Sequence, residues 1–482
     1  MSEFTSRVIS ATKWSVVTEI LAKLVSPVST MILARLLAPE AFGVLVTSTM
    51  VISFAEIFTD AGFQKYLVQH EFADDSEKFK TTTTAFWSNL VLSLLIWLII
   101  IAFSEPIAAL VGNPGKGNVI AISCVCIPLA AFSSIQLALY KRDFDFKTLF
   151  SVRLIGVLIP IFITIPLAYI TRSYWALIIG MIALNFSNAV LLTLRSKWKP
   201  TLSFSWGRLK SMLSFSLWSI MESVSIWLTN YVDVFIVGTL LSQHYLGIYK
   251  TSITVVGQIM AVITSSTTPV LYSSLSRLQN DRDEYNAFFL KFQKIISYVI
   301  FPLGVGIYLF RDLITDIILG NQWTEAAGFI GLWALISTIV IVLSYYTSEI
   351  CRSKGLPSIS FASQILHLMF LIPVLYFTST KGFEALYHAR ALIRLQAVAV
   401  DLIIIYLLTK ISPLKILSNI SSSLISVAFM YLVYRMLPLN TNIGMSVIYI
   451  ILCGLAYVSA LLFFPSDRVI IKKLIRNLRS KL

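Results

Sequence analysis

Charged side chains stand inside apolar stretches of this sequence, and their spacing groups them. Glu19 and Lys23 are four apart in one run, and Glu56, Asp60 and Gln64 form a four-residue ladder in the next. Glu222 and Asp233 are eleven apart, three helical turns, so they share a helix face; Arg390, Arg394 and Asp401 share another by the same arithmetic. Arg153, Lys250 and Glu349 lie near the ends of their own runs. A charge at the centre of a membrane helix costs about 2.5–3.5 kcal/mol, so such groups face an aqueous cavity or one another. Lys23, Arg153, Lys250, Arg390 and Arg394 suit an anionic headgroup, Arg through its planar fork and Lys as a point charge. Glu19, Glu56, Asp60, Glu222, Asp233, Glu349 and Asp401 suit a coupling proton or Na⁺. The alternative is structural: Glu19–Lys23 and Arg390–Asp401 as ion pairs that let polar helices pack.

Nothing else in the chain reads as chemistry. His70, His244, His367 and His388 are scattered, and no His, Cys and carboxylate cluster has metal-ligand spacing. There is no phosphate-cradling GxxxxGK[ST] loop. No catalytic residue, metal or cofactor is therefore expected, and no built-in ATPase. Cys124, Cys126, Cys351 and Cys453 lie in or beside apolar segments and read as buried thiols.

The solvent for these elements is lipid. The 482 residues are 57% hydrophobic and 13% charged, with a mean hydropathy of +0.81. Fourteen runs are long enough to span a bilayer, at roughly 12–36, 42–65, 82–104, 117–140, 149–171, 174–194, 211–238, 245–271, 290–311, 325–350, 357–378, 382–408, 416–436 and 443–464. The first reads as a membrane helix rather than a cleavable signal. The net charge of +14 sits in short links, which fits topology rather than nucleic acid. One set of alternate links carries Lys78, Lys80, Lys141, Arg142, Lys147, Arg195, Lys197 and Lys199 among others. The opposite set holds only Arg35, Lys116, Arg172, Arg311, Lys381 and Arg435. The positive-inside rule then puts both termini in the cytoplasm. The tail, residues 468–482, reads as a basic amphipathic helix on anionic headgroups. The outer links are short; the longest, about 105–116 and 312–324, have room for a small helix but no domain.

The chain also repeats itself. Ile32 to Gly43, with its turn at Pro39, is echoed 204 positions later by Phe235 to Gly247, so that Gly43 falls on Gly247, Leu36-Leu37 on Leu240-Leu241 and Trp14 on Trp218. Five patches carry a likeness to a known group: Ala34-Arg35-Leu36-Leu37-Ala38-Pro39-Glu40-Ala41-Phe42-Gly43; Asp60-Ala61-Gly62-Phe63 with Leu67-Val68; Tyr140-Lys141-Arg142-Asp143-Phe144-Asp145-Phe146-Lys147; the stretch from Pro269 to Asn280; and Leu319-Gly320-Asn321-Gln322-Trp323. In these the chain resembles the multidrug/oligosaccharidyl-lipid/polysaccharide superfamily, and within it the Wzx-type polysaccharide exporters of the colanic-acid branch.

That resemblance implies an all-α membrane fold of about fourteen helices. Two pseudo-symmetric six-helix lobes, residues 1–205 and 206–409, would flank a V-shaped cavity, with two further helices and the tail in 410–482. It implies a flippase that carries undecaprenyl-diphosphate-linked oligosaccharide units across the bacterial inner membrane by alternating access. The product would be capsule, exopolysaccharide or O-antigen. A polymerase and a chain-length regulator are possible partners. Lys23, Lys65 and Lys250 stand near the cationic positions of the first, second and eighth helices of such proteins. A drug or cation antiporter of the same fold is the competing reading, favoured by Glu56, Asp60, Glu222 and Asp233. A membrane enzyme polymerising lipid-linked glycans is a third; the short outer links argue against it.

Overall fold

Among the described residues the apolar runs fold as helices joined by short links, some of which hold short helices of their own. The computed structural model describes residues 25–60, 62–143, 145–438 and 442–479. We number the helices α1 (Val25–Leu36), α2 (Pro39–Asp60), α3 (Asp75–Ala102), α4 (Gly117–Arg142), α5 (Phe146–Thr171), α6 (Trp175–Arg195), α7 (Trp206–Leu240), α8 (Gln243–Arg277), α9 (Arg282–Leu309), α10 (Ala326–Ser353), α11 (Pro357–Ser379) and α12 (Phe383–Thr409). The last three are α13 (Pro413–Asn419 and Ser421–Met436, bent by 52°), α14 (Ile443–Phe463) and α15 (Pro465–Arg479). Among the described residues 12 helices are long and apolar enough to cross a membrane, and the bent α13 makes up to 13. The expected count of fourteen is not reached there, because only the end of the first span is described, as the short α1. The long outer links do hold small helices, Ser104–Leu110 and Arg311–Ile318.

By packing, the chain divides into two compact units, residues 1–250 and 251–482. This division is separate from the repeat-based lobes expected from sequence.

In the first unit, α4 packs between α3 and α6 around Phe86, Ile135 and Ala138. Buried hydrogen bonds tie the same helices, Asn89 Nδ2 to Ser134 Oγ at 2.7 Å and Gln136 Nε2 to Thr193 Oγ1 at 3.1 Å. The start of α3 is fixed by its N-cap: Asp74 accepts from the Glu77 N–H, and the Glu77 carboxylate reaches back to accept from the Ala73 N–H just before the cap. α2 stops at Asp60, where Gly62 takes a left-handed φ of 76° and a short helix, Phe63–Gln69, follows. Arg142 donates to the carbonyls of Leu67 (2.8 Å) and His70 (2.6 Å) at the end of that short helix and lies over the Phe72 ring. Asp145 caps α5 through Thr148, and Asp143 pairs with Lys78 at 3.3 Å. Two of the motif patches are thus one structural joint.

The repeated segments meet each other. A Cβ on Gly43 would strike the Gln243 carbonyl, and one on Gly247 would strike the Pro39 carbonyl. Pro39 and Gln243 are themselves 204 apart, as are Glu40 and His244, whose side chains lie 2.7 Å from each other. Gln243 also donates to the Gly112 carbonyl at 2.6 Å.

In the second unit, α9 and α10 pack closely where Gly304 lies against Thr338 and the Ala334 carbonyl. Tyr298, Val305 and Leu309 of α9 meet Met430 of α13 and Tyr449 and Tyr457 of α14. α15 is pinned by Asp467, fully buried against Lys294 of α9.

Candidate functional site

In the first unit, α1, α5 and α6 line a cavity of about 410 Å³, with Arg153, Ser26, Ser29, Thr30 and Asn188 together with Leu33 and Leu184 in its wall. Asp145 starts α5 and so sets the register that places Arg153 two turns in. One turn on, Gly156 lets Leu184 of α6 approach, since a Cβ there would come within 2.9 Å of its Cδ1. Pro160 then opens a π-helical stretch, Pro160–Thr164. The Arg153 side chain is exposed to the cavity, while Ser29 is buried in its wall. A guanidinium ringed by hydroxyls and an amide can hold phosphate oxygens and sugar hydroxyls together.

Other expected residues are placed as follows. Glu56 and Asp60 lie on one face of α2, half-buried, with Gln64 hydrogen-bonding Asp60 and with Lys65 and Lys141 nearby. Asp233 is buried and accepts from Tyr249 Oη at 2.8 Å and from Val234 N–H. Lys250 Nζ lies 5.6 Å over the Tyr231 ring, and Tyr231 stacks on Trp227, which donates to Ser53 Oγ of α2 at 3.1 Å. Glu19 and Lys23 lie outside the described residues, and so does the Glu222 side chain on α7.

In the second unit Arg390 and Arg394 come together on one indole, 5.1 Å and 4.1 Å from the Trp333 ring of α10. Arg394 also donates to Ser337 Oγ at 2.7 Å. Asp401 accepts from Ser344 and from Ser363 Oγ (3.0 Å), about two turns further along α10 than Ser337. Glu349 is buried and pairs with Arg352 at 3.4 Å, an i,i+3 contact.

The sequence reading missed Trp333, Asn188 and the Ser26–Ser29–Thr30 stripe. The i,i+3 and i,i+4 spacing of the stripe was its one signal, and serines that bond only their own helix backbone give the same pattern. Among the described residues no group of three or more His, Cys, Asp or Glu could hold a metal ion.

Residues 32–328 match the model of a family described as "Polysaccharide biosynthesis protein". The chain is 23% identical over 317 residues to the succinoglycan biosynthesis transport protein ExoT of Rhizobium meliloti, covering 65% of this chain and 63% of that one. It is 20% identical over 375 residues to the lipopolysaccharide biosynthesis protein WzxC of Escherichia coli, covering 77% and 74%. Its structure is similar to the lipid II flippase MurJ in an inward closed conformation, with a TM-score of 0.72 and 16% identity over 95% of this chain and 99% of that one. The chain therefore has the fold seen in MurJ.

Proposed function

The chain belongs to the polysaccharide biosynthesis protein family, and from that premise we propose that it flips an undecaprenyl-diphosphate-linked oligosaccharide across the bacterial cytoplasmic membrane. The transport is by alternating access, without ATP and without covalent chemistry on the glycan. The observation that carries this is the Arg153 cavity, where a cation, three hydroxyl residues and an amide line one space between helices. That set matches a sugar diphosphate, while the polyprenyl tail stays in lipid. The Arg390–Arg394 pair on Trp333 is a second cationic station. The names of the relatives support export of a glycan, and MurJ supports a lipid-linked substrate.

Glu56 and Asp60 on α2 are the groups we assign to a coupling proton or Na⁺. The excess of Lys and Arg in alternate links supports a cytoplasmic position for both termini. A polymerase and a chain-length regulator would take the product on the other side.

The test uses the purified chain in liposomes carrying a fluorescent undecaprenyl-diphosphate glycan on both leaflets. A membrane-impermeant reagent reports which label is reachable, with and without a proton or Na⁺ gradient. Movement that depends on Arg153 supports the reading; no movement of any supplied glycan, with efflux of a cationic dye, would replace it with drug antiport. The α2 carboxylates are what favours that second reading, because an acidic site suits a cationic drug.

A further inference from the structure

Between α6 and α7 the chain runs from Ser196 to Ser205, outside the spanning helices and on the side where Lys and Arg gather. This stretch turns large apolar side chains outward. Leu202 is 94% exposed, Phe204 55%, and Trp206, the first residue of α7, 70%. Ser203 and Ser205 separate them, and the extended backbone of Ser205 (φ −133°, ψ 112°) turns Phe204 and Trp206 to one side. Three such side chains together, outside the core, mark a surface that something apolar covers.

What the link touches sets its depth. Trp87 of α3 donates its indole N–H to the Thr201 carbonyl at 2.8 Å. Phe204 and Leu209 wall a groove of about 330 Å³ together with Trp87, Val91 and Leu95 of α3. Val91 and Leu95 are half exposed, on a helix long and apolar enough to cross a membrane. The link is thus held against a lipid-facing stretch of α3, and its apolar surface continues that stretch. Aromatic side chains beside Lys and Arg at such a level belong to the boundary between headgroups and acyl chains.

The charge of the link has one sign. Between Asp145 and Glu222 the sequence holds no Asp or Glu, while Arg195, Lys197, Lys199, Arg208 and Lys210 fall within or beside the link. Three of these five have duties in the chain. Arg195 donates to Ser151, Lys199 donates to the Thr193 and Leu194 carbonyls at the end of α6, and Lys197 shares a cleft with Asp75, Asp143 and Asp145. Arg208 and Lys210, in the first turns of α7, make no hydrogen bond or ion pair among the described residues. Lys210 is exposed and follows Trp206 by four residues, so the two share a face of α7. An apolar tip with uncommitted cations beside it is complementary to an anionic lipid surface.

We propose that the α6–α7 link is a membrane-insertion element that recognises anionic lipid in the leaflet on the basic side. Leu202, Phe204 and Trp206 enter the outer part of the acyl layer, and Arg208 and Lys210 meet lipid phosphates. The link lies between the two copies of the repeated segment, so the leaflet holds the chain where the first copy gives way to the second.

The test places a nitroxide on Leu202→Cys in the full chain, reconstituted in vesicles of phosphatidylcholine alone or with about a quarter phosphatidylglycerol. Cys124, Cys126, Cys351 and Cys453 are buried, so the label goes to the new thiol. Oxygen collects in the acyl layer and a neutral nickel chelate stays in water, so their effects on nitroxide relaxation read depth. The label should be shielded from nickel at least about 3-fold better than one on Lys381→Cys, an exposed position on an opposite link. Phosphatidylglycerol should increase the shielding, and Arg208→Gln/Lys210→Gln should lose that increase. In the wild type the increase should also fade in high salt. A label as open to nickel as the one on Lys381→Cys would overturn insertion and leave the three side chains to a protein partner. Shielding indifferent to phosphatidylglycerol, or an increase that survives in the double variant, would overturn anionic recognition. If the double variant melts lower than wild type, the salt response of the wild type decides. Flipping is not read, so failure here leaves the transport reading standing.

Discussion

Replacing Gly43 or Gly247 by Ala sets two known effects against each other. Both glycines lie inside helices, where Ala is favoured over Gly by about 0.5–1 kcal/mol. Against that, a Cβ on Gly247 would lie 2.6 Å from the Pro39 carbonyl carbon and closer still to its oxygen. Ordinary contact begins at 3.4 Å, so the backbones must part by at least 0.8 Å. At Gly43 the Gln243 carbonyl carbon stands at 3.0 Å, again with the oxygen nearer. Overpacking of this kind costs about 1–3 kcal/mol, and more when the obstacle is backbone that cannot rotate away. The net expectation for each single variant is a loss of about 1–2 kcal/mol. Gly257→Ala, with open space around its Cβ, is the control and should stabilise by the helix term alone. The assay is thermal unfolding of the purified chain in one detergent. A second consequence follows from geometry. The two contacts are neighbours, because the Gly247 Cβ would also lie 3.2 Å from Gly43 N. Parting the helices for one Cβ makes room for the other, so the double variant should lose less than the sum of the singles by about 0.5 kcal/mol or more. If Gly43→Ala and Gly247→Ala melt at or above wild type, as Gly257→Ala should, the close approach is not what those glycines serve.

Further outcomes are expected elsewhere. Arg153→Ala should abolish glycan flipping in liposomes at unchanged melting temperature, since its side chain is exposed to the cavity; a large fall in melting would make it a structural residue instead. Arg394→Lys should impair flipping although charge is kept, because an ammonium replaces neither the planar stack on Trp333 nor the bond to Ser337 as positioned; full activity would leave only the charge mattering. Arg142→Lys should destabilise by about 1.5–3 kcal/mol through the lost carbonyl contacts at the end of Phe63–Gln69, read by thermal unfolding. At Asp467 burial pushes the carboxyl up, but hydrogen bonding by Lys294, Ser422 and Tyr298 outweighs it and holds the group below the usual carboxylate range. The anchoring it gives is therefore present above the ordinary carboxylate pKa and lost only as pH falls through the depressed folded value. Trypsin cleavage at Arg468 and Lys472 should be slow and flat from about pH 6 to 8, while Asp467→Asn should speed it throughout.

The apolar runs made the helices legible, because a span needs little beyond length and hydropathy. The repeat made Gly43 and Gly247 equivalent, but which surface they meet depended on how two turns 204 residues apart come together. Arg390 and Arg394 were legible as neighbours from their i,i+4 spacing, and the structure stacks both on Trp333. Asp401 follows Arg394 by seven residues within one helix, and its partner Ser344 follows Ser337 by seven on α10, so their shared face was legible too; the Ser344 and Ser363 hydroxyls that Asp401 meets were not. Glu349 read as a cavity group, yet Arg352 one turn on was there to pair with it. Trp333 carried no signal of its own, since an indole in an apolar run looks like any other lipid-facing or core aromatic. The Arg153 cavity was half legible: the cation was visible, and the hydroxyls that surround it were hidden among many helix serines.

The contact between the repeated segments is symmetric. Gly43 faces residue 243 while Gly247 faces residue 39, and Glu40 faces His244, so each copy of the segment offers its equivalent positions to the other. This is the pattern of an isologous interface, the kind two identical subunits make across a dyad. Such a surface is self-complementary: each copy of the segment presents what the other needs. Within that symmetric contact the equivalent positions 40 and 244 hold an acid and a histidine, so the two copies meet there as unlike partners.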